Sequence, residues 1–237
     1  INCDRLMKNL LFFFLIFLNL NLFNQRDIHR RWDYELKKFV DKNGKVDYLK
    51  WSKNSSGLKA YINVLEQNHP KDYWSKNQKM SYWINAYNAL TINLIIENYP
   101  LKSIRDIKNP WGKKLINHKL KSYSLDEIEH KILRKMNDPR IHFAINCASI
   151  SCPNLSNSAY FSANLDNQLS ESTRNFLKNK NSITTNEIQI SKIFLWFKKD
   201  FGNDEKLLNF IEKYSMIKLN NPKIKYLAYN WNLNDIQ

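Results

Sequence analysis

"NQKMSYWINAYNALTINLIIENYP", Asn77 to Pro100, is apolar on nearly every side between Tyr82 and Ile96. A helical stretch with no polar face is enclosed by the rest of its fold, and Pro100 ends it by pushing the preceding residue out of the helical region. The spacing predicts a buried central helix over 78–98. Its two amides, Asn85 and Asn88, stand three apart and therefore share a side. Buried amides need partners. With Tyr87 beside them, a structural clamp and a group that positions something in a site are equally good readings.

Working outward, "RRWDYELKKFVD" (Arg30–Asp41) repeats apolar residues at Trp32, Leu36, Phe39 and Val40 before "NGK" breaks it, and "LKAYINVLEQN" (Leu58–Asn68) repeats the amphipathic pattern. Downstream of the central helix, "SLDEIEHKILRKM" opens on Ser124 with Glu127 three residues on, the spacing of a capping box. At about 100° per residue, Leu125, Ile128, Ile132 and Met136 form one apolar stripe. Glu129 falls at its edge and needs a partner from elsewhere, while His130 and Arg134 align on an adjoining side. Ile141–Ile145 is a short apolar run bounded by Asp-Pro and Asn-Cys, which predicts a buried strand. Later, "SITTNEIQIS" predicts a hairpin with its turn near Asn186. "IFLWFKKDFG" and "DEKLLNFIEKYS" predict helices, and "KIKYLAYNWNLN" a late strand. The sum is an α+β fold, mainly helical with a small β-sheet, and residues 26–237 are expected to form one globular domain.

The first residues predict a different fate. Lys8 precedes an unbroken apolar run from Leu10 to Leu18, shorter than the roughly 20 residues of a spanning helix and within the roughly 7–15 of a signal-peptide core. Residues 1–25 are thus expected to be upstream sequence, with the true start at Met7, and a signal peptide. No A-x-A-like cleavage site follows, so the alternative is an uncleaved anchor. Export to the periplasm or beyond is expected, with membrane contact only through this segment. The 37 Lys and Arg against 22 Asp and Glu give a net charge of +15. The lysines are scattered, and no zinc-finger, RRM or helix-turn-helix pattern gathers them, so nucleic acid is not the expected partner. With 4 glycines there is no phosphate-cradling loop, and no cofactor is implied.

The chemistry-bearing residues gather in "HFAINCASISCPNL", His142 to Leu155. Three readings stand. A cysteine nucleophile needs a histidine to hold its thiolate and a carboxylate or amide to orient that histidine; Cys147 or Cys152, His130 or His142, and Glu129, Asn85 or Asn88 could fill those parts. On a strand, the odd separation of His142 and Cys147 would send them to opposite faces, which favours His130 as the base. A zinc set of His130, His142, Cys147 and Cys152 has the required number, but its C-x4-C spacing is loose. Third, an exported chain permits a Cys147–Cys152 disulfide that pins the loop of a non-catalytic binding module. Serine catalysis at Ser149 or Ser151 lacks its usual glycine context.

Five segments, "YWINAYNALTINLIIENYP", "SLDEIEHKILR", "DPRIHFAINCASISCPNL", "SKIFLWFKKDF" and "YLAYNWNLN", resemble in this order the domain of unknown function 547, over about Tyr82 to Asn234. That family occurs in bacterial, often exported proteins and at the C-terminal end of plant proteins with a leucine-zipper region. The resemblance places motif positions on Trp83, Asn85, Tyr87, Asn88, Glu129, His130, Arg134, His142, Cys147, Cys152 and Pro153. Asn154 stands where the family often has a second proline, and Asn230 where an aspartate is usual. The function expected is cysteine-dependent hydrolysis or acyl transfer on an amide or thioester of a small molecule or peptide. Glu129, His130, His142 and the cysteines would do the chemistry, and Asn85, Tyr87, Asn88 and Arg134 would bind or position. The alternative is the disulfide-pinned binding domain.

Overall fold

The structure, a computed structural model, describes residues 28–119 and 121–236. The apolar run Leu10–Leu18 and the start at Met7 lie outside them. Among the described residues no helix is long and apolar enough to cross a membrane.

Helix α1, described over residues 28–39, buries Trp32, Leu36 and Phe39, the positions its periodicity marks. It stops in a turn where the Asp41 carboxylate accepts the N–H groups of Asn43 and Lys45, each at 2.8 Å. Gly44 closes that turn at φ +73°, and a Cβ there would sit 2.5 Å from Asn154, so the turn lies directly on the loop after Cys152. Helices α2 (Tyr48–Lys53) and α3 (Ser56–Gln67) then pack on α4, Lys76–Asn98. Helix α4 begins at a complete capping box between Ser75 and Gln78, and every residue from Met80 to Ile92 is buried. Each such Leu or Ile contributes about 1.5–3 kcal/mol. This is the enclosed central helix its sequence predicts.

The hairpin of β1 (Lys114–His118) and β2 (Lys121–Ser124) delivers the chain to Ser124. There the predicted box forms: Glu127 N–H donates to Ser124 Oγ at 3.2 Å and Ser124 N–H to the Glu127 carboxylate at 3.1 Å. The chain then enters a π-helical turn, Glu127–Leu133, in place of a regular α-helix. Such widened turns occur disproportionately at functional sites.

The expected strand at Ile141–Ile145 does not form. Pro139–Phe143 is a 3₁₀ helix, because Asp138 accepts the Arg140 N–H at 3.1 Å and Pro139 presets the first turn. The run is apolar because it faces two cores. Ile141 belongs to a larger core built around α4 with Trp32, Trp51 and Tyr61, whereas Phe143 belongs to a second with Phe176, Phe194, Phe201 and Ile211. His142 sits at the seam between them.

The second core is covered by α5 (Leu165–Lys180) and by a sheet of β3 (Ser182–Ile183), β4 (Glu187–Ile190) and β5 (Lys223–Tyr226). Strands β3 and β4 form the predicted antiparallel hairpin, and β5 joins β4 in parallel. The expected single helix from Ile193 is two short ones, α6 (Ile193–Trp196) and α7 (Lys198–Phe201), broken at Phe197 and closed at Gly202, φ +87°. Helix α8, Asp204–Ser215, follows. The fold is mainly helical α+β, with its sheets small.

Beyond β5 the chain is not strand. It runs as a strap along the cysteine loop, with Ile150 N–H donating to Asn232 O at 2.8 Å and Asn234 N–H to Ala148 O at 3.2 Å.

Candidate active site

The two amides of α4 set the floor. Asn85 donates to Tyr160 O at 2.8 Å and accepts its N–H at 2.9 Å, holding one residue's backbone from both sides. Asn88 does the same across a gap, donating to Ala144 O and accepting from Asn146 N–H, both at 2.9 Å. Neither lines the cavity over the cysteine pair, so Asn85 is a clamp and Asn88 fixes the backbone that leads into Cys147. A further amide, Asn146, carries no mark in the sequence. It donates to Pro153 O and accepts from Ala148 N–H, each at 2.7 Å, and so joins the two ends of the loop.

Within that loop Cys147 and Cys152 form a disulfide, with Cα atoms 6.2 Å apart, inside the range such a bridge needs. Cys147 N–H points at Cys152 Sγ, 2.9 Å away, and Ala148 takes the left-handed conformation at φ +59°. Holding a non-glycine residue there costs about 1–2 kcal/mol, a local strain of the kind stored at functional sites. Cys147 Sγ also meets two hydroxyls, Ser149 and Tyr229, at 3.3 Å each. Tyr229 comes from the strap.

A cavity of about 270 Å³ opens over this pair. Cys147, Cys152, His130, His142, Glu129 and Tyr87 all line it. The objection that His142 and Cys147 must face apart fails, since it assumed a continuous strand, whereas His142 lies in the 3₁₀ turn Pro139–Phe143 and the chain from there to Cys147 is irregular. Arg134 is not in the lining. It binds Asp200 through two bonds of 2.6 and 2.8 Å and lies within hydrogen-bonding distance of His130 Nδ1, 3.1 Å.

Asp200 organises the centre. One of its oxygens lies 2.7 Å from His142 Nε2. Burial works against its ionisation, but bonds from His142 and Arg134 hold its carboxyl well below the usual carboxylate range. Asp200 is thus an acceptor at every pH of interest, so His142 keeps its proton on Nε2 and presents a bare lone pair at Nδ1. That atom is buried and has no hydrogen-bond partner; the nearest acid is Glu129, whose Oε1 stands 3.9 Å away. Burial lowers the pKa of His142, with Asp200 opposing. The imidazole is neutral near pH 7. Phe197, at the break between α6 and α7, stacks on it with centroids 4.0 Å apart.

Glu129 is the other poised group. Burial pushes its carboxyl up to about 7, against a hydrogen bond from Tyr87 and the charge of Arg134. Tyr87 OH donates to it at 3.3 Å. A carboxyl that changes charge near neutrality inside a cavity is suited to general acid or base work.

The zinc set does not assemble: among the described residues no three His, Cys, Asp or Glu converge to hold a metal ion. His130 lies at the exposed mouth, and no hydrogen bond joins either sulfur to an imidazole among the described residues. Sequence reasoning missed Asp200 and the aromatic wall of Trp111, Trp196, Tyr229 and Trp231. The one available signal for Asp200 and Trp196 was their place in the segment "SKIFLWFKKDF".

Residues 71–177 match the family model described as "Protein of unknown function, DUF547". No curated protein and no solved structure matches the chain. The matched span carries α4, the π-helical turn and the cysteine loop, and it ends before Trp196, Asp200 and Tyr229. Over residues 71–177, then, the chain is similar to the protein family of unknown function DUF547.

Proposed function

We propose that the cavity is the active site of a thiol-dependent hydrolase or acyl transferase acting on an amide or thioester. The observation that carries this reading is the convergence on one cavity of a cysteine pair, a histidine held in one tautomer by Asp200, and a carboxyl that ionises near neutrality. In the bridged state neither sulfur is a nucleophile, so the chemistry starts from the dithiol, made by two electrons and two protons from an external thiol reductant. Cys147 is the nucleophile, because it is the less buried of the two cysteines and its sulfur lies 3.3 Å from Tyr229 OH, a donor able to steady a thiolate. His142 Nδ1 takes the thiol proton, and the resulting imidazolium lies between two acids, Asp200 and Glu129. The thiolate attacks the carbonyl carbon, the C–N or C–S bond breaks, and the leaving amine or thiol takes the proton back from His142. Water, or an acceptor amine, then releases the acyl group. Cys152, Arg134 and Tyr87 act through their neighbours as positioning groups.

Reduced protein treated with a thioester and sampled by intact-mass spectrometry tests this. The expected result is an acyl adduct on Cys147 that Cys147→Ser abolishes and Cys152→Ser retains; an adduct count indifferent to both variants would sink the proposal.

A second reading keeps the disulfide as the working state, and the observed Cys147–Cys152 bridge favours it. The cavity is then a binding site for a small molecule or peptide. Export of the protein, which the N-terminal apolar run supports, would suit a bridged loop.

A further inference from the structure

The charge of the cavity runs against the charge of the chain. The sequence holds 37 Lys and Arg, yet the cavity lining contains none of them and does contain Asp126 and Glu129. Arg134, the guanidinium of the adjoining turn, is paired with Asp200. Both imidazoles have their pKa lowered by burial and bring no fixed positive charge. His142 Nδ1 is buried in the lining without a hydrogen-bond partner.

The facing wall is aromatic. The Tyr229 ring centroid lies 4.8 Å from that of Trp196 and 4.6 Å from that of Trp231, and the Trp111 and Trp231 centroids are 5.9 Å apart. Trp196 is 46% exposed, a large indole left open in the same cavity lining as Asp126 and Glu129. Ring faces are electron-rich and attract cations, whereas an anion would be repelled by both the rings and the acids. A plain acyl chain would make no use of Asp126. The space is small as well: about 270 Å³, just below the roughly 300–1,000 Å³ of sites for drug-sized ligands.

We infer that the substrate taken here is a small ammonium-bearing molecule, its cationic head resting on Trp196 and Tyr229, since Trp231 already carries the Arg105 guanidinium 5.4 Å from its ring centroid, with Asp126 and Glu129 as counter-charges. The inference rests on the cavity being the reacting site and adds the class of molecule that reacts: an amide or thioester with an alkylammonium group a short chain away from its carbonyl.

The test is a binding titration on the oxidised full chain, where the bridge silences thiol chemistry, with choline and its uncharged isostere 3,3-dimethylbutan-1-ol, read by tryptophan fluorescence and calorimetry. The expected result is at least tenfold tighter binding of choline. Trp196→Ala and Asp126→Asn, both at exposed positions, should each weaken choline at least fivefold and the alcohol less. Equal binding of the two, binding of neither, or choline affinity unmoved by both variants overturns the inference. Because no turnover is needed, a choline preference without any Cys147 adduct would remove only the hydrolase reading, and an adduct without the preference would remove only this one.

Discussion

His142 and Asp200 stand 2.7 Å apart although 58 residues separate them in the chain. The pair turns an ordinary buried histidine into one with a fixed tautomer and an open lone pair. Asp200 in turn is held by Arg134 from the end of the π-helical turn, so three separate segments converge on one proton position. Asp200→Asn leaves Arg134 half-buried without its partner and lets the His142 proton move to Nδ1. Breaking a wholly buried pair costs about 3–5 kcal/mol; with both partners partly exposed, a loss of about 2 kcal/mol is expected in urea denaturation, together with loss of Cys147 acylation.

Glu129 makes stability depend on pH with a definite sign. Its folded pKa of about 7 lies above the ordinary value of 4.5, so the folded state binds the extra proton between those values. The stabilisation is full below about pH 4.5 and is lost as pH rises through 7. The shift corresponds to about 3 kcal/mol. Glu129→Gln should therefore gain on the wild type by up to that amount between pH 5 and 8.5, measured by urea unfolding at each pH. His142, whose pKa is lowered, acts oppositely and destabilises the fold as pH falls below its unfolded value.

Asn88→Ala removes two hydrogen bonds and strands the carbonyl of Ala144 and the N–H of Asn146, both buried. The expected cost is about 2–4 kcal/mol. Asn85→Ala, whose partners belong to Tyr160, should cost as much in chemical unfolding but leave the reactivity of Cys147 nearly unchanged. The difference between the two variants separates the clamp from the positioning group.

Reduction of the Cys147–Cys152 bridge opens a very short loop, for which chain entropy gives about 2 kcal/mol. Oxidised and reduced proteins should differ by that amount in urea unfolding. A much larger difference would mean that the bridge is the main support of the loop, favouring the binding-module reading.

The fold is legible where local physics decides it. The unbroken apolar run of α4, the Ser124–Glu127 cap and the stripe of α1 each specify one structure within a dozen residues or so. The Pro139–Phe143 turn is not, because an apolar run between two cores looks like a strand interior, and only the second core, built from residues after Phe176, reveals why both Ile141 and Phe143 are buried. The site is half legible. Its cysteines, His142 and Glu129 are residues whose chemistry makes them conspicuous beside apolar runs. Asp200 sits in "FKKDFG", which reads as a solvated helix face, and Tyr229 lies 82 residues from Cys147. Neither pairing leaves a periodic trace.

The most direct measurement is the pH dependence of Cys147 alkylation by iodoacetamide in the reduced protein, followed by peptide mass spectrometry in the wild type and in His142→Gln. The account predicts half-maximal reactivity clearly below the ordinary thiol value of about 8.5, a return to that value in His142→Gln, and at least tenfold slower labelling of buried Cys152. Cys147 titrating at about 8.5 or above in both proteins would contradict it.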